Sequence, residues 1–419
     1  MTDTAIPVRR AGLPALRSVF ADRRYRKLFI GTTAAMAAQW MQRIALGWLI
    51  WDMTQSGAWL GALAIAELAP GLVLGPLGGV LSDRMDRRRL ILCCQSVIFA
   101  GSIVTGVVVL AGVASPILLL ALAGIGGSAA ATQESSRSLL IRDVTPPDCL
   151  ATGMSLTAIA VNVTRFLGPA IAAPLMQGFG VASVFWINAA VSMVLMAIVA
   201  SLSDVRSRVS HQSGHFARDL WQGAVAAATH ASVTPVLIVF AVTALLVRPL
   251  YELMPAFADE LFHGDVQDYS FLIMAVGAGA IVGAVVVTLN APTRPARMFM
   301  TSSIGACAAL AAFASSTDMI MGMASTAALG FFMCMSATSS QLVVIMDAEE
   351  RTSGRVLSLW GTIMRGGPAL GALALGVALD LLGYRWPLLI AAFLAAMFVG
   401  FTVLESRRRA RRRAGRAEN

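Results

Sequence analysis

The sequence predicts an all-α integral membrane protein, with twelve transmembrane helices in two parallel six-helix halves. Three observations predict it. Of 419 residues, 57% are hydrophobic and only 13% charged, a charged share well below that of soluble domains, too little polar material to cover a soluble fold. Apolar runs of about 20 residues, the length at which a helix crosses a bilayer core, recur between short polar segments. The second part of the chain also repeats the first at an offset of about 200 residues, the mark of a duplicated unit.

Spans are expected at 28–51, 58–80, 89–111, 116–135, 152–175, 182–202, 234–256, 270–290, 298–314, 319–346, 356–379 and 386–404. They divide the chain into a basic tail (1–27), a first half (28–202), a linker (203–233), a second half (234–404) and an arginine-rich tail (405–419). Basic residues test this map, because they stay in cytoplasmic loops. Nearly all of the 32 lysines and arginines fall in the tails, the linker and the loops expected inside. The outside loops hold Arg385 alone, and Arg43, Arg165, Arg248 and Arg365 fall within spans. Both termini are therefore expected in the cytoplasm, in a multi-pass protein of the cell inner membrane. The N-terminus carries arginines but no early apolar core ending in small residues, so the first span is expected to serve as its own targeting signal. The net charge of +9, with its arginines just inside the membrane, suits anionic lipid headgroups rather than nucleic acid.

Taken in order, span one carries Arg43 in QWMQRIALGW, and span two carries Glu67 in AIAELAPG. Gly71, Gly75 and Gly79 follow at four-residue spacing, one bare helix face suited to close approach. The next loop, GGVLSDRMDRRRL (78–90), packs acids and arginines into a single turn. Span four ends in Glu134, with Arg137 and Asp143 beyond it. Span five places Arg165 before Gly168 and Pro169, and span eleven places Arg365 before Gly367, Pro368 and Gly371. Each proline removes a backbone donor and permits a kink. Upstream, SSRSLLIRDVTPPDCLATGMSL (135–156) lines up with SSQLVVIMDAEERTSGRVLSL (339–359), so the two halves share one orientation. The linker turns helical from about Phe216 and is suited to the membrane surface. In span seven, Arg248 and Glu252 are four apart on one helix face, where they can pair. Arg43 and Arg248 hold corresponding places in the two halves, with Glu67 and Glu252 nearby. Ionisable groups at bilayer depth are expensive and line pathways or pair. Burial that favours the neutral acid makes a glutamate a proton carrier, so Glu67 is the leading coupling residue of a set with Arg43, Arg165, Arg248 and Glu252. The alternatives for these charges are structural ion pairs and arginines snorkelling from span ends.

Gly79, Leu81, Ser82, Asp83, Arg84, Arg87 and Arg88 resemble the G-x-L-[AS]-D-R-x-G-R-[KR] loop of the major facilitator superfamily. Asp86 stands where that family usually has glycine, as in the branch of enterobactin and macrolide exporters, which ELAPGLVLGPLGGVLSDRMDRRRL is similar to. The resemblance covers the whole chain. It implies alternating access between two halves, with a cytoplasmic latch: Asp83 near the N-terminus of span eleven, and arginines pairing with acids, Asp143 among them. Three departures stand out. Span four has no arginine before Arg137, Gly168-Pro169 is followed by Ala172 and Ala173 rather than paired glycines, and LNAPTRPARM in the second half keeps only Arg294 and Arg297.

Other chemistry finds little support. His211 and His215 are four apart but lack a third ligand, so no metal is expected. The five cysteines, Cys93, Cys94 and Cys149 among them, make no disulfide framework. No phosphate-binding Gly-Lys-Ser/Thr loop or nucleophile motif occurs, so the chain is not expected to be an enzyme or to need a cofactor, and its energy is expected from a proton gradient. The expected function is a monomeric secondary active exporter of a small molecule, such as a drug, siderophore or other metabolite. Two other readings stay open: a lysolipid flippase of the same fold, and a non-transporting membrane sensor or scaffold.

Overall fold

A computed structural model describes residues 13–202, 225, 230, 232–290, 294–347 and 353–417. The first residues of the basic tail and nearly all of the linker, with His211, His215 and the stretch from Phe216, lie outside the described residues. So do the side chains of Asp83 and Arg84 and those of the arginine-rich tail.

The described chain is helical, without a strand. In order it forms α1 (Leu13–Ala21), α2 (Arg23–Thr54), α3 (Gly57–Arg84), α4 (Arg87–Leu110), α5 (Pro116–Val144), α6 (Leu150–Phe179), α7 (Ala182–Ala200), α8 (Val233–Leu246), α9 (Met254–Phe262), α10 (Val266–Asn290), α11 (Pro295–Ala314), α12 (Met319–Asp347), α13 (Ser353–Leu382) and α14 (Trp386–Ala417). Among the described residues, ten segments are long and apolar enough to cross a membrane. The first two expected spans fall on α2 and α3, so the helices follow the twelve-span pattern.

Local chemistry sets several helix ends. Asp86, the residue that replaces the family glycine, is the N-cap of α4, and its carboxylate accepts from the Arg88 N–H at 2.8 Å. Ser115 caps α5, with Pro116 in the first turn, where a missing N–H costs nothing. Hydropathy understates some helices: α5 continues to Val144 and α14 to Ala417, because Arg, Glu, Leu and Ala remain strong helix formers outside the bilayer. Span seven differs more. It is broken into α8, a 3₁₀ turn at Arg248–Tyr251 and α9, with Pro249 in the break, where it can neither donate nor sit against the preceding turn. The single α-helical face expected to carry Arg248 and Glu252 is therefore interrupted.

The chain forms two compact units: residues 1–46 with 73–213, and residues 47–72 with 214–419. The turn-side ends of α2 and α3 thus belong to the second unit. In the first unit, Val19, Tyr25, Leu28, Ile91, Leu140, Val144, Leu195 and Val199 form a buried core. Tyr25 and Phe29 stack at 5.6 Å, with Phe20 edge-on to both. Burial pushes the Tyr25 phenol up to about 12, and its hydroxyl donates to the Gly153 carbonyl. A polar seam joins α2, α4 and α7: Gln42 accepts from Asn188 and Ser102, and Gln95 donates to Ser192. In the second unit, Phe240 of α8 stacks on Trp360 of α13 at 5.3 Å, and the Trp360 indole donates to the Ser340 hydroxyl.

Candidate functional site

Arg87 and Arg88, at the end of the charged loop between α3 and α4, make contacts within the first unit. Arg87, 8% exposed at its side chain, forms an ion pair with Asp143 and ties the start of α4 to the end of α5. Arg88 donates from Nε to Val199 O at 3.2 Å and from a terminal nitrogen to Ala200 O at 2.7 Å. These are carbonyls of the last turn of α7, beyond the reach of its regular hydrogen-bond ladder, Val199 O accepting also from the Leu202 N–H at 3.2 Å, and a guanidinium there complements the helix dipole. Glu134 pairs with Arg137 one turn further along α5.

The two Gly-Pro spans occupy corresponding places. In the first unit, a methyl at Gly168 would fall on the Trp40 side chain and 3.2 Å from the Ala37 carbonyl, so α6 crosses α2 nearly backbone to backbone. In the second, a methyl at Gly367 would meet Ala244 Cβ at 2.7 Å, and one at Gly371 would fall on the Leu245 carbonyl, so α13 crosses α8 in the same way. Pro169 and Pro368 follow within their helices.

Of the intramembrane charges, Arg43 and Arg165 both lie by Trp40. Their guanidinium carbons stand 5.4 Å and 5.1 Å from the centre of the same Trp40 ring. Arg165 Nε is buried without a hydrogen-bond partner among the described residues. Arg248 instead lies over Phe240 at 5.3 Å and reaches the Met333 carbonyl at 3.5 Å, at the limit of hydrogen bonding. Arg365, the counterpart of Arg165, is exposed. Glu67 is partly exposed on α3, and Glu252 follows the 3₁₀ turn. Gly71, Gly75 and Gly79 lie along α3.

Sequence reasoning missed a second set of residues. In the second unit, Asp380 near the end of α13 caps the start of α3 from outside its own helix. Its carboxylate accepts from the Gly57 N–H at 2.7 Å, the Ser56 hydroxyl at 2.7 Å and the Ala58 N–H at 3.1 Å. The Trp51 indole donates to Asp259 at 2.8 Å and sits edge-on to Tyr384 at 6.1 Å. Burial, and then Glu260, Asp380 and Asp259, push the Tyr384 phenol up to about 12. The available signal was an acid in GVALDLLG, at the end of an apolar run. Trp40 was missed because in sequence it reads as one more apolar residue.

The model of a family of transmembrane secretion effectors matches residues 16–415. The chain is 24% identical to the enterobactin exporter EntS of Shigella boydii over 84% of each chain. It is 22% identical to macrolide efflux protein A of Streptococcus pyogenes over 87% of this chain and 92% of that one. A shorter match, 25% identical, covers 32% of this chain and 34% of the staphyloferrin A transporter of Staphylococcus aureus. Among solved structures, a peptide transporter POT superposes with a TM-score of 0.74 at 13% identity, covering 96% of this chain and 97% of that one, which fixes the fold. The chain is accordingly a multi-pass membrane transporter rather than an enzyme, and it belongs to the transmembrane secretion effector family of the major facilitator superfamily.

Proposed function

We propose that the protein is a secondary active exporter of the cell inner membrane, with both termini in the cytoplasm, which moves a siderophore, drug or other small metabolite outward in exchange for protons. The family match over residues 16–415 carries this reading. Exporters of enterobactin and macrolides align with most of the chain, and the arginine distribution favours the stated orientation. Alternating access needs contacts that part without dismantling a core. The α2–α3 turn suits that need, because the Asp380 carboxylate holds it through a few hydrogen bonds at its edge. Glu67, an acid retained in a span, is the proton carrier in this reading.

The test is proton movement in proteoliposomes under an imposed pH gradient, with enterobactin and a macrolide offered as cargo to wild type and Glu67→Gln. Cargo-driven proton release in wild type, reduced at least about tenfold in the variant, is the expected outcome. Cargo flux without proton movement, equal in both proteins, would overturn the coupling assignment.

A further inference from the structure

Four polar side chains of the first unit are buried among apolar neighbours: Thr32 on α2, Gln95 on α4, and Gln133 and Ser136 on α5, each at most 3% exposed. Helical spacing sets them on stripes that face the core. Thr32 lies four residues after Leu28 and three before Ala35, both members of the core that also holds Ile91 and Leu140. Gln95 lies between Ile91 of that core and Ile98, which packs with Leu90, Cys94 and Ala129. Gln133 and Ser136 lie on one face of α5, between Ala129 of the second cluster and Leu140 of the first. The same two apolar clusters therefore bound the polar residues of α4 and of α5.

The hydroxyls of Thr32 and Ser136 and the side-chain carbonyls of Gln95 and Gln133 are buried without a hydrogen-bond partner among the described residues. Gln95 uses its amide N–H on the Ser192 hydroxyl at 2.8 Å, which leaves its carbonyl unserved. A helical hydroxyl ordinarily satisfies itself on the carbonyl one turn back. Thr33, Ser128 and Thr132 do so at 2.6–2.8 Å in the same helices, but Thr32 and Ser136 do not. Further along the seam, Gln42, Ser102 and Asn188 serve one another directly. A buried polar atom without a partner loses its hydration and regains nothing, and here four such atoms fall at one level of the bundle.

We infer that Thr32, Gln95, Gln133 and Ser136 form an internal hydration site, which holds water where α2, α4 and α5 turn these residues inward. The donor set selects the ligand. The two hydroxyls donate or accept, and the two amide carbonyls only accept, so the ligand must offer donors as well as an acceptor. It must also be small, because apolar side chains close the level on both sides. Water meets both conditions, and it is the ordinary partner of buried polar groups that side chains leave unserved. Water joins the three helices through a partner that exchanges, where a direct side-chain bond would fix one geometry.

Radiolytic footprinting of the purified full-length protein in phosphatidylcholine nanodiscs provides the test. X-ray pulses turn bound water into hydroxyl radicals, which oxidise the side chains beside it. Leu140, one turn from Ser136, is expected to be oxidised at least about threefold faster than Leu310 and Leu329, which are as deeply buried in the second unit. In the triple variant Thr32→Val, Gln133→Met, Ser136→Ala that excess is expected to vanish. Equal rates in wild type, or the same excess in the folded triple variant, overturn the inference. Thr32→Val alone keeps the shape of the side chain and decides the matter if the triple variant does not fold. Its melting midpoint is expected to fall, because the water loses a partner. A dry hydroxyl would instead be relieved by the exchange, so an unchanged or raised midpoint overturns the inference. Neither measurement involves cargo, so failure of the exporter reading leaves the site standing, and loss of the site leaves that reading untouched.

Discussion

Gly371 and Gly361 lie on the same helix in opposite circumstances. A methyl at Gly371 would fall on the Leu245 carbonyl and stand 2.5 Å from Pro249 Cγ, whereas at Gly361 it would meet nothing within 4 Å. Backbone and proline atoms cannot swing aside, so Gly371→Ala should lower unfolding stability by about 1–3 kcal/mol, the range for overpacking. Gly361→Ala should be neutral or stabilising by up to about 1 kcal/mol, because alanine favours helix. Unfolding of both variants in detergent micelles measures the difference, and equal effects would contradict the close crossing of α13 on α8. Single residues were legible in the sequence where a spacing rule spoke for them. The Gly-Pro pairs at 168–169 and 367–368 marked the duplication and a permitted kink in each copy. Trp40 and Asp380 were not legible. Each draws its role from a neighbour far along the chain, Arg165 for one and Gly57 for the other, and no local pattern records such a partner.

Helix α4 gathers the charges of the motif at its start. Asp86 caps its first turn, Arg87 reaches back to Asp143 on α5, and Arg88 reaches the end of α7. Three helices are thereby joined at one end by a few polar contacts. A double-mutant cycle with Arg87→Met and Asp143→Asn should give a coupling of about 1 kcal/mol, above the median for exposed pairs because Arg87 is only 8% exposed, but moderated by the 25% exposure of Asp143. A coupling near zero would reduce the pair to a solvated contact. The apolar runs revealed these elements, since hydropathy reports what lies in lipid. Hydropathy does not report where a helix stops in water, so the polar continuations of α5 and α14 escaped it. The break in span seven escaped it too. VFAVTALLVRPLYELMP reads as one apolar run, and only Pro249 marks the place where the backbone tightens into a 3₁₀ turn.

The duplication visible in sequence organises the molecule, yet its two copies have diverged. In one, Arg43 and Arg165 lie by Trp40, which meets Gly168; in the other, Arg248 lies over Phe240, and Ala244 meets Gly367. A transporter built from two similar bodies must still bind its cargo at one place and release it through another, so such differences are expected where function rather than folding selects the side chains. The α2–α3 turn provides the test at this scale. It belongs with the second unit, and Asp380 holds it through Ser56, Gly57 and Ala58 at 2.7–3.1 Å. If transport requires the turn to part from α13, tethering the two must stop it. In a background with the five free cysteines replaced, Ser56→Cys and Asp380→Cys can be joined by a short thiosulfonate cross-linker. The reduced double variant should carry cargo, the cross-linked one should lose at least about 90% of the flux, and reduction should restore it, as expected when a conformational step is obligatory. Undiminished flux in the fully cross-linked protein would show that the turn and α13 travel together, and the opening would then have to lie elsewhere in the bundle.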